Sequence, residues 1–104
     1  MSTSLEQLEK QIERAKQEVF GLGPMRPGSI SRQYRDPKKK KRPYYQISYT
    51  HRMRGHSEYL RQEQLAVIRR ETATFKRFRM LIDWWVDLAL KASQLRMRHA
   101  KTPD

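Results

Sequence analysis

The most conspicuous chemistry in the sequence is positive charge gathered in one short segment. Five consecutive basic residues stand between Asp36-Pro37 and Pro43. Like charges at this density repel one another, so we expect the run in a solvated loop. Lys and Arg side chains bind phosphates with little sequence preference, because each neutralised phosphate releases counterions. We expect a hairpin to gather the candidate phosphate-binding residues at one end of a sheet: Arg32, Arg35, Lys38, Lys39, Lys40, Lys41, Arg42, Arg52 and Arg54.

Five tyrosines are interleaved with this basic segment. Exposed aromatic rings stack on unpaired bases, but tyrosine is also a common strand residue. Tyr45 and Tyr49 share the phase of Ile47, which predicts that they face a core. Tyr44 then points to the opposite side, next to the lysines, and is the candidate stacking residue.

The charge is uneven along the 104 residues, which hold 23 basic and 11 acidic side chains and a net charge of +12. Residues 21–61 alone hold eleven basic and two acidic residues, a net charge of +9. Such an excess favours a polyanionic partner, DNA or RNA. The alternatives are a solubilising loop, a nuclear localisation signal, an acidic protein partner and an anionic membrane surface.

Several function classes find little support. The chain has no cysteine, so it can form neither a disulfide nor a thiolate metal site. His51, His56 and His99 do not show a metal-ligand spacing, and no serine has a neighbouring base and orienting residue. The first residues lack the apolar run of a signal peptide, and no stretch is long enough to span a membrane. We predict a cytoplasmic protein that is not an enzyme and needs no cofactor.

The central segment has the pattern of a small antiparallel sheet. Residues 44–50 alternate as a half-buried strand requires. Ser29 to Tyr34 predicts an earlier strand, and Ser57 to Leu60 a later one after a loop from His51 to His56. A three-stranded meander of this size needs a helix across one face.

The N-terminal segment predicts a capped amphipathic helix. Ser2, Thr3 or Ser4 can cap it, and both Thr3 with Glu6 and Ser4 with Gln7 have the capping-box spacing. Apolar residues then recur at heptad spacing, but two heptads are too few for an independent coiled coil. The helix therefore docks on its own domain or on a second copy. The apolar positions are Leu5, Leu8, Ile12, Ala15 and Val19.

The C-terminal segment predicts a helix from about Gln62 to His99, with one apolar stripe that includes Trp85. A helix of that length, about 55 Å, exceeds what the sheet can cover. It must break, with Thr72 to Thr74 as the weak point, or pack its far half on the N-terminal helix or on another subunit. The candidate protein-interaction residues are Leu5, Leu8, Ile12, Val19 and Trp85.

Three motifs in the chain form a recognisable set: GSISRQYR at residues 28–35, PYYQISYT at residues 43–50, and Tyr59-Leu60. Together they resemble a family of small prokaryotic proteins of unknown function, the DUF6788 type, which is often encoded near transposase and mobile-element genes. The resemblance covers about residues 24–95 and implies strands followed by a long helix. Many members carry a Cys cluster between the first two strands. This chain has lysines there, so no metal role is carried over.

These patterns together predict an α+β chain: an N-terminal helix over 1–20, a Gly/Pro linker over 21–28, a basic β-meander over 29–61, a long helix over 62–99 and a tail over 100–104. The expected function is nucleic-acid binding as an accessory subunit of a DNA- or RNA-processing or mobile-element complex. The alternative is an assembly factor whose helices self-associate or bind an acidic protein partner.

Overall fold

The α+β class predicted from the sequence is confirmed by a computed structural model, which describes residues 4–100. The elements in chain order are α1 (Leu5–Phe20), β1 (Ser29–Asp36), β2 (Lys41–His51), β3 (Arg54–Leu60), a short 3₁₀ helix (Gln62–Gln64) and α2 (Leu65–His99). The predicted capping residues Ser2 and Thr3 and the predicted tail from residue 101 onward lie outside the described residues.

The chain forms two compact units, and α2 contributes to both. The sheet unit is Gly23–Lys76, and the helical unit is made of the residues up to Leu22 together with those from Arg77 onward. The predicted Gly/Pro linker therefore belongs largely to the sheet unit. Its Arg26 backbone N–H donates a hydrogen bond to the carbonyl of Glu71 in α2 at 3.2 Å.

The sheet is an antiparallel meander in the order β1-β2-β3, as predicted. Ile30 lies opposite Ile47, and Tyr45 lies opposite Leu60. Paired residues share a face of the sheet, so these four side chains lie on one side. There they form the core of the sheet unit with Leu65 and Ile68 of α2, which confirms the predicted phase of Tyr45.

Gly28 precedes β1 at a position that excludes a side chain. Its φ of +143° lies in a region that residues with a side chain rarely adopt. A Cβ atom there would lie 2.7 Å from both Cδ1 and Cγ1 of Ile47, which is fully buried. The absence of a side chain at Gly28 therefore lets the chain enter the sheet against its central core residue.

The strands are longer, and the turns tighter, than predicted. β1 continues to Asp36 and β2 begins at Lys41, so the first turn is Pro37–Lys40. The Asp36 carboxylate accepts a hydrogen bond from the Lys39 backbone N–H at 3.3 Å, and Lys40 has a φ of 52°.

The predicted loop from His51 to His56 is wrong. β2 and β3 are joined by the two residues Arg52 and Met53, with φ values of 52° and 65°. Positive φ at both positions is the signature of a type I′ turn, which matches the twist of the strands. Gly55 consequently lies within β3, opposite Thr50.

In the helical unit, α1 begins at the capping box of Ser4 and Gln7. The Gln7 N–H donates to the Ser4 hydroxyl at 3.1 Å, and the Ser4 N–H donates to the Gln7 side chain at 3.2 Å. The apolar stripe of α1 packs on α2 within the same chain. The resulting core contains Leu8, Leu88 and Ala92, with Leu5, Ile12, Trp84 and Leu95 against it.

The predicted break in α2 does not occur. Thr72 and Thr74 donate hydroxyl hydrogen bonds to the carbonyls of Arg69 and Arg70, and the helix continues through them. Its far half packs on α1, which was the other possibility within one chain. No helix in the described part of the chain is long and apolar enough to cross a membrane.

In the helical unit, Trp84 of α2 packs against the core in place of the predicted Trp85. The buried positions there are Leu81, Leu88 and Ala92. Trp84 packs against this core, whereas Trp85 is half-buried with the Lys16 ammonium 5.7 Å from its ring centroid. The sequence pattern did not identify the correct tryptophan because Trp84, Trp85 and Val86 are consecutive, so apolar residues point to several faces of one helical turn.

Candidate nucleic-acid interface

The first hairpin carries the largest concentration of positive charge, and we call residues 32–44 the basic hairpin. β3 ends at Leu60, which pairs with Tyr45, so the β2 residues before Tyr45 pair with β1 alone. The hairpin is thus a two-stranded ribbon that extends beyond the third strand. All seven of its basic side chains are exposed: Arg32, Arg35, Lys38, Lys39, Lys40, Lys41 and Arg42.

No carboxylate pairs with these side chains among the described residues. The ion pairs of the sheet unit are Arg26–Glu58 and Arg61–Glu63, each at 3.7 Å, and both lie outside the basic hairpin. The Asp36 carboxylate instead accepts a hydrogen bond from the Lys39 backbone N–H and so stabilises the turn. An anion would therefore relieve the mutual repulsion of the seven cations.

A cleft of about 330 Å³ opens on the basic hairpin. Four basic residues and one acidic residue line it: Arg35, Asp36, Lys39, Lys41 and Arg42. Its positive charge suits phosphate groups, which such side chains bind through charge-assisted hydrogen bonds.

Arg52 and Arg54 do not join this cluster, so the prediction that nine basic residues gather at one end is wrong. They lie at the second turn, and β2 separates the two turns by ten residue steps, about 33 Å. The physical reason is general, because successive turns of a meander lie at alternate ends of the sheet. Met53 stands between the two arginines and is 97% exposed.

Arg69 of α2 contributes a further cation on the helix-covered side of the sheet. Its guanidinium carbon lies 6.0 Å from the Tyr45 ring centroid, and Tyr45 lies opposite Arg32. In the sequence, the signal for this placement is the neighbouring Ile68, which packs on the sheet core.

The other side of the sheet carries mainly uncharged polar and aromatic side chains. Alternation along β2 places Tyr44, Gln46 and Ser48 on the side opposite Ile47, as predicted for Tyr44. Strand register adds their partners on β1 and β3. We call this surface the open face and define it by Ser31, Gln33, Tyr44, Gln46, Ser48, Ser57 and Tyr59.

Two rings of the open face lie side by side next to the basic hairpin. The ring centroids of Tyr44 and Tyr59 are 6.2 Å apart, with an interplanar angle of 34°. The guanidinium carbon of Arg35 lies 5.6 Å from the Tyr44 ring centroid. Sequence reasoning did not select Tyr59, because its proximity to Tyr44 depends on the register of β2 with β3.

Short hydrogen bonds connect the polar side chains of the open face. The Gln33 amide donates to the Ser31 hydroxyl at 3.2 Å. The hydroxyls of Ser48 and Ser57 lie 3.1 Å apart across the two strands. These groups can donate and accept hydrogen bonds, so they suit ligands that do both.

Tyr49 belongs to a polar cluster on the helix-covered side. Its hydroxyl donates to the Glu58 carboxylate at 2.9 Å, and its ring stacks on His56 with 4.9 Å between centroids. The Arg26 guanidinium carbon lies 5.0 Å from the same ring. The hydrogen bond to Glu58 raises the pKa of Tyr49 above its ordinary value. This cluster connects the segment before β1 to the sheet.

The predicted protein-interaction residues divide into two groups. Leu5, Leu8 and Ile12 pack on α2 within the chain, while Val19 and Trp85 are half-buried. The structure instead exposes an apolar stripe on the opposite side of α2, at a spacing of four and seven residues. This stripe consists of Val86, Leu90 and Met97, each more than half exposed.

Comparison of the sequence with models of known protein families, with curated proteins and with solved structures found no match. The resemblance to the mobile-element-associated family therefore stays a prediction. The geometry of the two surfaces on the sheet unit carries the functional argument.

Proposed function

We propose that this protein binds nucleic acid through the basic hairpin and is a non-catalytic accessory subunit of a cytoplasmic DNA- or RNA-processing complex. The observation that carries the proposal is the set of seven exposed basic side chains with no carboxylate partner among the described residues. Phosphates neutralise such a set and release counterions, which drives binding without sequence preference.

The placement of the cations supports nucleic acid over a flat anionic surface. By strand alternation Arg35 lies on the open face, whereas Arg32 lies on the helix-covered side near Arg69. A membrane presents its charge in one plane and is met by one side of a ribbon. A nucleic-acid strand bends and can place phosphates against both sides of the basic hairpin.

The test is a salt titration of binding by the full chain to labelled single-stranded and duplex DNA and RNA of scrambled sequence. Affinity should fall linearly with the logarithm of salt concentration, with a slope of about −5 if seven phosphates of a single strand are contacted. Lys38→Gln/Lys39→Gln should make this slope shallower by about one to one and a half.

A matched control removes the same charge from the helical unit. Lys91→Gln/Arg98→Gln replaces two exposed basic residues there and should leave the slope unchanged. If no polymer binds even at low salt, nucleic-acid binding is excluded. If the control changes the slope as much as the hairpin variant does, binding reflects net charge and the basic hairpin is not the site.

A second candidate function, assembly through the helices, is favoured by the exposed stripe on α2. Val86, Leu90 and Met97 have the heptad spacing with which helices pair, and the core of the helical unit does not cover them. A second copy or a helical partner would bury these side chains.

Sedimentation of the pure protein tests this candidate. The wild type should sediment as a dimer, and Leu90→Glu as a monomer, because a charge in the stripe opposes burial. Gln11→Glu, an exposed change of equal charge on α1, which packs on the other side of α2, should leave the dimer intact. A wild-type monomer at high concentration would contradict pairing of two copies.

A further inference from the structure

We infer that the open face of the sheet binds single-stranded RNA, with unpaired bases stacked on Tyr44 and Tyr59. This inference rests on the proposed function, because the basic hairpin would hold the phosphates of the same strand. It goes further in naming the polymer and the chemistry by which it is selected.

The aromatic pair has the geometry that stacking on bases requires. Tyr59 is 60% exposed, and its ring centroid lies 6.2 Å from that of Tyr44 at a tilt of 34°. The two rings are neighbours and do not cover each other face to face, so each leaves area for a base. The Arg35 guanidinium carbon lies over the Tyr44 ring, 5.6 Å from its centroid, so a base that stacks on Tyr44 also meets this cation.

The charge of the open face selects an unpaired strand over a duplex. Strand alternation places two charged side chains there, Arg35 and Arg42, both at the end of the face next to the first turn, while the remaining positions are Ser, Gln, Thr, Gly or Tyr. A duplex presents its phosphates outward and buries its base faces, so it can make few contacts with the uncharged part of this surface. An unpaired strand exposes base faces and edges, which rings, hydroxyls and amides bind.

The hydroxyls of the open face favour RNA over DNA. Ser31 and Gln33 lie beside the rings on β1, and Ser48 and Ser57 continue along the face. Serine hydroxyls both donate and accept hydrogen bonds, and so does the ribose 2′-hydroxyl. That group is what allows a protein to distinguish RNA from DNA at one site.

The experiment measures equilibrium binding of the full chain to three labelled probes of about 12 nucleotides, a length within the usual site size of such surfaces. The probes are a single-stranded RNA, the single-stranded DNA of the same sequence and the RNA duplex. The single-stranded RNA should bind most tightly. Tyr44→Leu/Tyr59→Leu should lower its affinity by about 30-fold or more, since two stacked bases are lost.

Two controls separate stacking from general loss of an aromatic ring. Tyr44→Phe/Tyr59→Phe keeps both rings and should restore the affinity for single-stranded RNA. Phe20→Leu removes an exposed ring of the helical unit, outside both proposed surfaces, and should leave that affinity unchanged. Neither the leucine pair nor Phe20→Leu should change the affinity for the duplex or the slope against salt.

A measurement on the wild-type chain tests the inference without relying on variants that could fail to fold. Ultraviolet cross-linking to an RNA that contains thiouridine, followed by peptide mass spectrometry, should place the cross-links at Tyr44 and Tyr59. Cross-links confined to the helical unit would overturn the inference.

The outcomes distinguish this inference from the proposed function. If all probes bind with a steep salt dependence but the leucine pair changes nothing, the basic hairpin remains the site and stacking is excluded. Equal affinity for the RNA and DNA strands would overturn the selection of RNA. Absence of binding to every probe would remove the proposed function itself.

Discussion

The sheet unit and the helical unit differ most in the balance of their charges. The sheet unit holds fourteen basic and four acidic residues, a net charge of +10, and the helical unit holds nine and seven, a net charge of +2. Nearly all of the net charge of +12 therefore belongs to the residues of the sheet unit.

The two units also differ in how their charges are paired. In the helical unit, Glu18 pairs with Arg77 at 3.2 Å and Glu9 pairs with Arg96 at 3.8 Å. Exposed pairs of this kind add little stability, but they leave less charge for a partner. The basic hairpin has no such pairs among the described residues. An anionic partner is therefore expected where cations are unpaired, and not wherever basic residues occur.

The two units build their cores from different kinds of secondary structure. The helical unit buries Leu8, Leu88 and Ala92 through amphipathic helices. The sheet unit buries Ile47, Leu60 and Leu65 and depends on unusual backbone conformations before and between its strands. Single substitutions at those backbone positions should therefore act on the sheet unit most strongly.

The largest effect of this kind is expected at Gly28. Gly28→Ala places a Cβ atom 2.7 Å from two carbons of Ile47 at a positive φ, so the core must shift. Strain and overpacking together should lower the free energy of unfolding by about 2–3 kcal/mol, as measured by urea denaturation.

Gly23→Ala is the matched control, because a Cβ there meets no atom within 4 Å. Its effect on the free energy of unfolding should stay within about 0.5 kcal/mol. Equal effects of the two substitutions would show that the dependence of the sheet unit on Gly28 is wrong.

A smaller effect of opposite sign is expected at the second turn. Arg52 and Met53 have positive φ without the residues that favour it, so Arg52→Asn/Met53→Gly should stabilise the protein by about 1 kcal/mol. Thermal unfolding should show a higher midpoint.

The same variant also tests whether nucleic acid contacts one end of the sheet or both. It removes one charge about 33 Å from the basic hairpin, so the salt dependence of nucleic-acid binding should barely change. If it flattens the salt slope as much per charge as Lys38→Gln/Lys39→Gln does, nucleic acid contacts both turns.

The strands and their faces could be predicted because alternation is a local property. Residues 44–50 alternate strictly, which placed Tyr45 with the core and Tyr44 on the opposite face. The helices could be predicted from capping and heptad spacing for the same reason. Ser4 and Gln7 form one of the two capping boxes that the sequence allowed.

The arrangement of the site could not be predicted as well, because it depends on turn geometry and register. A turn without glycine or asparagine at Arg52-Met53 gives no sequence signal for a tight hairpin. The sequence therefore predicts a longer loop than the structure has, and it places Arg52 and Arg54 at the wrong end of the sheet. The pairing of Tyr44 with Tyr59 likewise follows from strand register, which spacing along the chain does not show.

The most direct test of the proposed interface is a nuclear magnetic resonance titration of the isotope-labelled chain with a scrambled single-stranded RNA. The largest amide shift changes should lie in residues 31–44 and around Tyr59, with little change in residues 80–97 of α2. Changes centred on α2, or none at saturating RNA, would contradict binding through the basic hairpin and the open face.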